Sequence, residues 1–363
     1  AGRWLTPPLG PVRFDNRFFL LEWPQDRSVQ PAVNIEEAVG GEWVAPQVAL
    51  ESWREGEAIA APPILHILKV LSQGEASFDL PRLQNPIEAN LGPFRKIEFR
   101  PGVLLFPLAT PTLPPAQYTN TYVLGTEEAV LVDPGSPFDR EIDWLIEALR
   151  ETEKKLKRRV SAIWLTHHHP DHIGGVERLR RELKVPVCAH RLTAEKLDIS
   201  GVAVDRILHD GEEVTLRGDP PFGIRVLHTP GHASGHLCFY EKAIGSLIAG
   251  DLVAGFGTIV VDPPDGNMED YLSSLERMRL LAPTALFPAH GPTIKDAVGK
   301  LEEYLAHRLW REERVLEAWQ AGLTNPPEML SKVYEDLPAI AELLAVRQIE
   351  AHLERLRDHG RLD

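Results

Sequence analysis

Short apolar runs separated by glycine-containing turns dominate the middle of the chain, from about residue 93 to 296. Runs of this length and composition predict strands. The predicted strands are 130–132, 161–166, 213–216, 224–228, 237–240, 247–249 and 285–287. One amphipathic helix is predicted at Val176–Leu183, where charged residues fill the outer face. Many short strands with few helices indicate a layered α/β sandwich and not a parallel, doubly wound sheet.

The C-terminal segment, 297–363, has the apolar spacing of helices throughout. The predicted helices are 300–319, 326–334, 339–344 and 346–359. Gly360 stands where a glycine commonly ends a helix.

The N-terminal segment, 1–92, is rich in proline and tryptophan. Two helix-like stretches, 47–54 and 64–71, lie among short apolar runs and proline pairs, which predicts a small α+β unit with rigid turns. The polar stretch 84–93 is predicted to be a linker. We therefore expect three domains, at 1–92, 93–296 and 297–363.

The composition excludes several classes of protein. With 43% hydrophobic and 25% charged residues over 363 positions, the chain has the balance of a folded globular protein. No apolar run reaches the roughly 20 residues that span a bilayer, and no signal peptide opens the chain. The formal charge of -14 argues against general binding of polyanions. The only cysteines are Cys188 and Cys238, so we expect a cytoplasmic protein with two buried, inert thiols.

The candidate chemistry starts at the end of the predicted strand 161–166. His167 and His169 alternate, so both imidazoles point the same way from an extended loop. Asp171 and His172 follow where the chain turns into the next helix. One short loop therefore presents four candidate metal ligands to a single cavity.

Three further candidates follow later strands: His232 in a Thr-Pro-Gly-His turn, Asp251 after an Ala-Gly pair, and His290 in an Ala-His-Gly-Pro turn. Loops at strand ends are where functional groups concentrate. Imidazole and carboxylate ligands without thiolates favour zinc, with iron and manganese as alternatives. Five histidines and two aspartates are enough for two divalent ions with a bridging carboxylate and a hydroxide, which is hydrolytic chemistry.

Other histidines are given other roles. His168 is expected to point away from the ligands and to have a structural role, and His228 is expected to pack on its strand. His236 is expected to lie close enough to the cavity to contact substrate. A single histidine is more often structural than a ligand, and a histidine-rich loop can arise by chance. The apolar strand before the loop, the glycines after it and the three candidates at strand ends favour the metal site.

Together these residues resemble the metallo-β-lactamase superfamily. The segment 166–172 matches its H-x-H-x-D-H signature, and the three later candidates match its later ligand motifs in order. Asp133, in Leu-Val-Asp-Pro-Gly, matches its first motif, a structural aspartate that supports the ligands. The resemblance covers about 93–296 and implies an αββα sandwich.

The resemblance also implies a ligand set. One ion would be held by His167, His169 and His232. The other would be held by Asp171, His172 and His290. Asp251 would bridge the two ions, and Asp171 would also orient the attacking hydroxide as the catalytic residue.

Departures from the family pattern narrow the subgroup. Penicillin-cleaving members carry cysteine where this chain has Asp251, so antibiotic hydrolysis is not expected. Flavodiiron proteins have glutamate where His169 stands. Between Asp251 and His290 there is no room for the inserted domain of cleavage-factor-type ribonucleases.

Two flanking segments carry further resemblances. The stretch 118–125, the stretch 229–240 and the motif His307-Arg308 with Arg311-Glu312 look like a lactamase-like group that includes a single-strand endoribonuclease. That group ends in a winged-helix-like domain, which 297–363 resembles. With 9 basic against 13 acidic residues, this segment is expected to pack or to cover substrate and not to bind a duplex.

The N-terminal segment resembles the second half of a Nudix hydrolase, through Trp4-Leu-Thr-Pro-Pro, the run from Arg13 to Leu20, and the stretches 42–50 and 62–71. Members of that family split nucleotide or CoA diphosphates. No Nudix box is present in 1–92, so it either lies upstream of Ala1 or has been lost, and no catalysis is assigned to this segment.

These observations predict a hydrolase in which hydroxide at a dinuclear centre attacks an ester, thioester or phosphodiester bond. The subgroup resemblance favours single-stranded RNA as substrate, whereas the net charge and the CoA-type Nudix resemblance favour a small ester or thioester. A non-catalytic, metal-stabilised binding protein is the alternative class, but structural zinc sites are usually closed and cysteine-rich. Iron-based sulfur oxidation is a third possibility on this fold. Enzymes of that kind use a single iron ion, so two bound ions would count against it. No membrane partner is expected, and the pattern leaves the oligomeric state open.

Overall fold

The structure is a computed structural model, and it describes residues 2–5, 15–21, 32–34, 38, 40–55, 57–73, 96–199, 201–335, 337 and 341–362. The predicted linker at 84–93 and parts of the Nudix-like motifs lie outside the described residues. The chain has two compact units, 1–8 with 12–104 and 9–11 with 105–363. The three-domain division stays a prediction.

The first unit contains two antiparallel strands, two helices and a further strand. These are β1 (Gly2–Leu5), β2 (Asp15–Phe18), α1 (Pro46–Arg54), α2 (Pro62–Leu71) and β3 (Ile97–Arg100). Both helices begin with proline, whose missing N–H is not needed in the first helical turn. Leu50, Trp53 and Leu65 form the buried contact between them. The helices predicted at 47–54 and 64–71 are confirmed.

The larger sheet of the second unit contains strands that follow one another in chain order: β4 (Val103–Ala109), β5 (Tyr118–Gly125), β6 (Glu128–Val132), β7 (Arg159–Trp164), β8 (Val187–Ala189) and β9 (Arg206–Ile207). From β6 onwards the neighbours are parallel. Parallel neighbours need long crossover connections. Helices supply them: α3 (Asp139–Leu156), α4 (Pro170–Ile173), α5 (Val176–Leu183) and α6 (Arg191–Ile199).

The smaller sheet contains β10 (Glu213–Leu216), β11 (Phe222–His228), β12 (Leu237–Glu241), β13 (Ser246–Gly250) and β14 (Ala285–Pro288), in that order. Its strands are antiparallel except for β13 and β14, which helix α7 (Met268–Leu281) connects. Leu247 and Leu286 of this sheet pack with Tyr271, Leu275 and other buried residues in one hydrophobic core. Two sheets with helices make a mixed α/β fold, as predicted.

The chain ends in helices α8 (Ala297–Gln320), α9 (Pro326–Val333) and α10 (Glu342–Asp358), which share a hydrophobic core that includes Val315, Met329 and Leu353. Two separate helices were expected at 339–344 and 346–359, and this was wrong within the described residues. One helix continues through this region because neither glycine nor proline interrupts 342–358. Gly360 follows α10 with φ of 63°, as a terminating glycine should.

Among the described residues after β14 every element is a helix, so the resemblance to a winged-helix domain stays a prediction. In the part of the chain that the structure describes, no helix is both long enough and apolar enough to cross a membrane.

Candidate metal centre

The histidine-rich loop leaves the carboxyl end of β7, next to the carboxyl end of its parallel neighbour β6. His167 and His169 lie in the extended part of this loop, and His169 is the residue before α4. Pro170 begins that helix, where the ring's fixed φ suits the first turn. Asp171 and His172 follow within the same turn. The local sequence therefore fixes the spacing of the four candidate ligands.

The other three predicted residues also follow strands. His232 comes after β11, Asp251 directly after β13 and His290 after β14. The loops that carry Asp251 and His290 are tied to each other by backbone hydrogen bonds, such as Gly255 N to His290 O at 2.8 Å. The two sheets therefore place all seven predicted residues around one site.

Three imidazole nitrogens converge within this site. His167 Nε2 lies 3.0 Å from His169 Nδ1, and His232 Nε2 lies 3.2 Å and 3.0 Å from these two atoms. Four ligands at about 2.0–2.1 Å around a tetrahedral zinc ion would be separated by roughly 3.3 Å. The spacing of the three nitrogens is therefore close to that of ligands on one ion.

A second group of donor atoms comes from Asp171, His172 and His290. His290 Nε2 lies 3.4 Å from Asp171 Oδ2, and His172 Nε2 lies 4.0 Å from Asp171 Oδ1. Asp251 stands between the two groups: Oδ1 lies 3.4 Å from His290 Nε2 and 3.6 Å from His172 Nε2, whereas Oδ2 lies 3.5 Å from His232 Nε2. One carboxylate therefore presents an oxygen to each group.

The tautomers of three histidines follow from their other ring nitrogens. Nδ1 of His172 lies 2.9 Å from Asp133 Oδ2, Nδ1 of His232 lies 2.6 Å from Val260 O, and Nδ1 of His290 lies 3.0 Å from Tyr118 O. In the neutral ring each Nδ1–H donates to these acceptors, which leaves the lone pair on Nε2. Histidines that bind metals usually have such a partner on the second nitrogen.

Asp133 organises the loop beneath the site. Its carboxylate accepts hydrogen bonds from Thr166 N at 2.8 Å and from Thr166 Oγ1 at 2.6 Å, in addition to His172. The next turn packs closely, because a Cβ on Gly135 would lie 1.7 Å from Asp171 O. Only glycine fits there, so the Asp-Pro-Gly motif has a steric reason.

The pKa values of the candidate ligands are shifted because the side chains are buried and lie close together. Burial lowers the pKa of His169 to about 2, and neighbouring histidines act in the same direction. Burial alone would raise the pKa of Asp251, but His290 and His172 outweigh it and hold that pKa well below its usual range. Burial likewise lowers the pKa of His167, so His167 and His169 are neutral and Asp251 is ionised at neutral pH, which are the protonation states that bind metal.

The donor set fits divalent ions for a further reason. His172 Nε2 and Asp251 Oδ1 are buried and have no hydrogen-bond partner among the described residues. Buried polar atoms are rarely left unpaired, and convergent lone pairs repel each other unless a cation lies between them.

A cavity of about 840 Å³ opens beside the donors. Asp171, His169 and the other outward-facing donors line one side of it. The loops 111–116 and 254–265 and residues of α8 and α10 line the rest. The C-terminal helices therefore contribute directly to the surroundings of the site.

The structure shows what three other residues near the site contact. His236 was expected to contact substrate, and this was wrong: it is fully buried, and its Nε2 accepts a hydrogen bond from Asp251 N at 3.0 Å. His168 belongs to neither main group and lies 3.5 Å from Asp265, which also pairs with Lys196. His168, His169 and Asp265 nevertheless form another set of potential donors. Nothing local in the sequence marked Asp265, because only folding brings its loop to this position.

Comparison with known proteins identifies the family. Residues 114–290 match the model of the Metallo-beta-lactamase superfamily. A protein of Caenorhabditis elegans named "Beta-lactamase-like protein 2 homolog" is 30% identical over 251 residues, which cover 67% of this chain and 80% of that protein. The chain belongs to the metallo-beta-lactamase superfamily.

Proteins with other descriptions are also similar to this chain. The "Atrochrysone carboxyl ACP thioesterase" of Aspergillus fumigatus is 30% identical over 236 residues, covering 61% of this chain and 70% of that protein. Among solved structures, a metallo-beta-lactamase family protein from Thermus thermophilus has a TM-score of 0.57 and 27% identity, covering 71% of this chain and 94% of its own.

Proposed function

We propose that this protein is a metal-dependent hydrolase that uses two divalent ions to cleave a thioester or a related ester bond. The observation that carries the proposal is the convergence of seven donor residues into two groups with Asp251 between them. When bound, two such ions lower the pKa of water and polarise the bond under attack.

We assign the proposed ligands to the two ions according to the two groups of donor atoms. His167, His169 and His232 would hold one ion, Asp171, His172 and His290 would hold the other, and Asp251 would touch both. The donors are imidazole and carboxylate groups, which suit zinc, iron or manganese. The cavity leaves one side of the site open to substrate, as a catalytic site requires.

Asp171 is the proposed catalytic residue. Its carboxylate lies next to His290 and also lines the cavity, so it is placed between the ligands and the space that substrate would fill. From there it can accept a hydrogen bond from the attacking water and orient that water toward the acyl carbon.

A thioester is favoured over RNA by two observations. One similar protein is named a thioesterase. The net charge of -14 also opposes the approach of a polyanion. Single-stranded RNA therefore serves as the comparison substrate in the test.

The test is hydrolysis of a panel of acyl-CoA, glutathione and N-acetylcysteamine thioesters, with RNA oligonucleotides alongside, by zinc-loaded protein. We expect thioester turnover that falls by about a hundredfold or more in Asp171→Ala, since a positioned general base contributes about 10²–10⁴-fold. The exposed Asp270→Asn is the control and should retain the wild-type rate. RNA cleavage without thioester cleavage, lost in Asp171→Ala, would contradict the thioester proposal.

A further inference from the structure

Arg308 and Arg311 lie one turn apart on α8 and line the cavity that contains the candidate metal centre. We propose that these two arginines form a binding site for an oxyanion, a carboxylate or phosphate group carried by the substrate. The inference rests on the proposed function only in assuming that the bound anion belongs to the molecule that is cleaved.

Arg308 is a buried cation whose partners among the described residues are all neutral. Its side chain donates hydrogen bonds to Gln348 Oε1 at 3.2 Å and to Ile259 O, and its guanidinium lies 5.3 Å from the centre of the Tyr271 ring. Only 3% of the residue is exposed. Its Nε is buried and has no hydrogen-bond partner among the described residues.

Arg311 repeats this arrangement one turn further along the helix. It donates a hydrogen bond to Val333 O, and its guanidinium lies 4.0 Å from the centre of the Tyr334 ring and 4.7 Å from that of Trp310. Its Nε is likewise buried and unpaired within the part of the chain described by the structure. The aromatic rings hold the planar group in position without neutralising it.

Neither arginine has a carboxylate oxygen within 4.0 Å among the described residues. The ion pairs of α8 are formed by other side chains of the helix. Arg347, which lines the same cavity, is paired with Asp262 at 2.5 Å and with Glu350 at 2.6 Å. Burial and the nearby positive charge of Arg308 hold the pKa of Arg311 below its usual range.

A buried charge without a counter-ion is costly, and an anion in the cavity would offset that cost. The fork of N–H groups on a guanidinium matches the two oxygens of a carboxylate or phosphate. Leu113, Phe256 and Leu344 add apolar surface to the same cavity. The substrate class is therefore a molecule with a hydrolysable acyl bond, an apolar middle portion and an oxyanion away from the bond that is cleaved.

The test measures anion binding by isothermal titration of the zinc-loaded protein with butyrate and, separately, with methyl phosphate. We expect Arg311→Gln to weaken binding of at least one probe by about tenfold or more, which is the contribution of one charge-assisted hydrogen bond. A response to only one probe identifies the oxyanion as carboxylate or phosphate. The matched control is Arg314→Gln, on the same helix but paired with Glu317 and Glu335, and it should change binding by less than about twofold.

Arg311→Lys separates binding from a structural role. It keeps the charge without the fork, so it should bind the probe more weakly than wild type and more tightly than Arg311→Gln. Equal affinity of wild type and Arg311→Gln for both probes would overturn the inference. So would equal losses in the Lys and Gln variants. Because binding is measured without turnover, a protein that binds anions through Arg311 but hydrolyses no thioester would contradict only the proposed function.

Discussion

Asp133 illustrates how a single residue prepares the site without lying among the converging donors. Its carboxylate joins the loop after β6 to the histidine loop through Thr166, and it fixes the ring of His172. Asp133→Asn would leave the loop in place but weaken the acceptor that keeps the proton on His172 Nδ1. We expect about a 10- to 100-fold loss of metal affinity at the second ion, since partners of metal-binding histidines contribute about that much.

Competition with a zinc-chelating dye measures this loss. Asp139→Asn is the control, because that carboxylate is almost fully exposed and lies at the start of α3. Unchanged zinc affinity in Asp133→Asn would show that the His172 tautomer does not depend on Asp133.

The two cysteines are predicted to be unreactive in the folded protein. Burial raises the pKa of Cys188 to about 11 and that of Cys238 to about 12. Since the thiolate is the reactive form, neither thiol should react with a disulfide reagent at pH 8 while the protein is folded. Both should react in denaturant. Rapid reaction of either thiol with the reagent in the native protein would contradict the prediction that both are buried and unreactive.

The residues of the candidate site could be predicted largely from sequence because each carries a local signature. Where histidines alternate at a strand end, or follow a glycine turn, the local sequence is enough to predict where they lie in the fold. His236 and Asp265 could not be assigned in this way. Their neighbours in space come from other loops, so no spacing along the chain indicates what they contact.

Helices α8 and α10 are held together by a buried carboxylate. Glu312 is 2% exposed and lies 2.5 Å from Arg355, 3.3 Å from Arg361 and 3.6 Å from His352. Glu312→Gln would leave Arg355 without its buried partner. Because both arginines are partly exposed, we expect a loss of about 2 kcal/mol in the free energy of unfolding, below the range for fully buried pairs.

Urea unfolding at neutral pH measures this difference, with the adjacent, exposed Glu313→Gln as control. Burial alone would raise the pKa of Glu312, but the nearby His352 and the hydrogen bond from Arg355 outweigh it and lower the pKa. A lowered carboxyl pKa stabilises the fold above the unfolded pKa of about 4.3, and the contribution is lost as the pH falls through the folded value. The difference between wild type and Glu312→Gln should therefore shrink below pH 4. A difference independent of pH would contradict the account.

Elements with a clear period were predicted well. The ranges of α5 and β10 are confirmed without change, because α5 has apolar residues at a helical spacing and β10 alternates polar and apolar residues. The crossover helix α3 was not predicted, although it has 18 residues. No side chain caps its first turn, so no capping residue marks where the helix begins. Strands β8 and β9 have 3 and 2 residues, too few to show any period.

The net charge of the protein differs in sign from the local charge on the part of the cavity wall that α8 forms. The chain carries -14 overall, which predicts long-range repulsion of polyanions. The wall of the cavity nevertheless contains two arginines without carboxylate partners among the described residues. Composition cannot show this separation, because it depends on which face of α8 the fold turns toward the cavity.

The number of metal ions per chain, measured by plasma mass spectrometry after equilibrium dialysis against zinc, tests whether the site holds a dinuclear centre. We predict two ions for the wild-type protein and fewer in Asp251→Asn, since that carboxylate faces both donor groups. The bound ions should also raise the melting temperature of the wild type above that of metal-free protein. Fewer than one ion per wild-type chain, or two ions held equally by Asp251→Asn, would contradict a dinuclear centre at these residues.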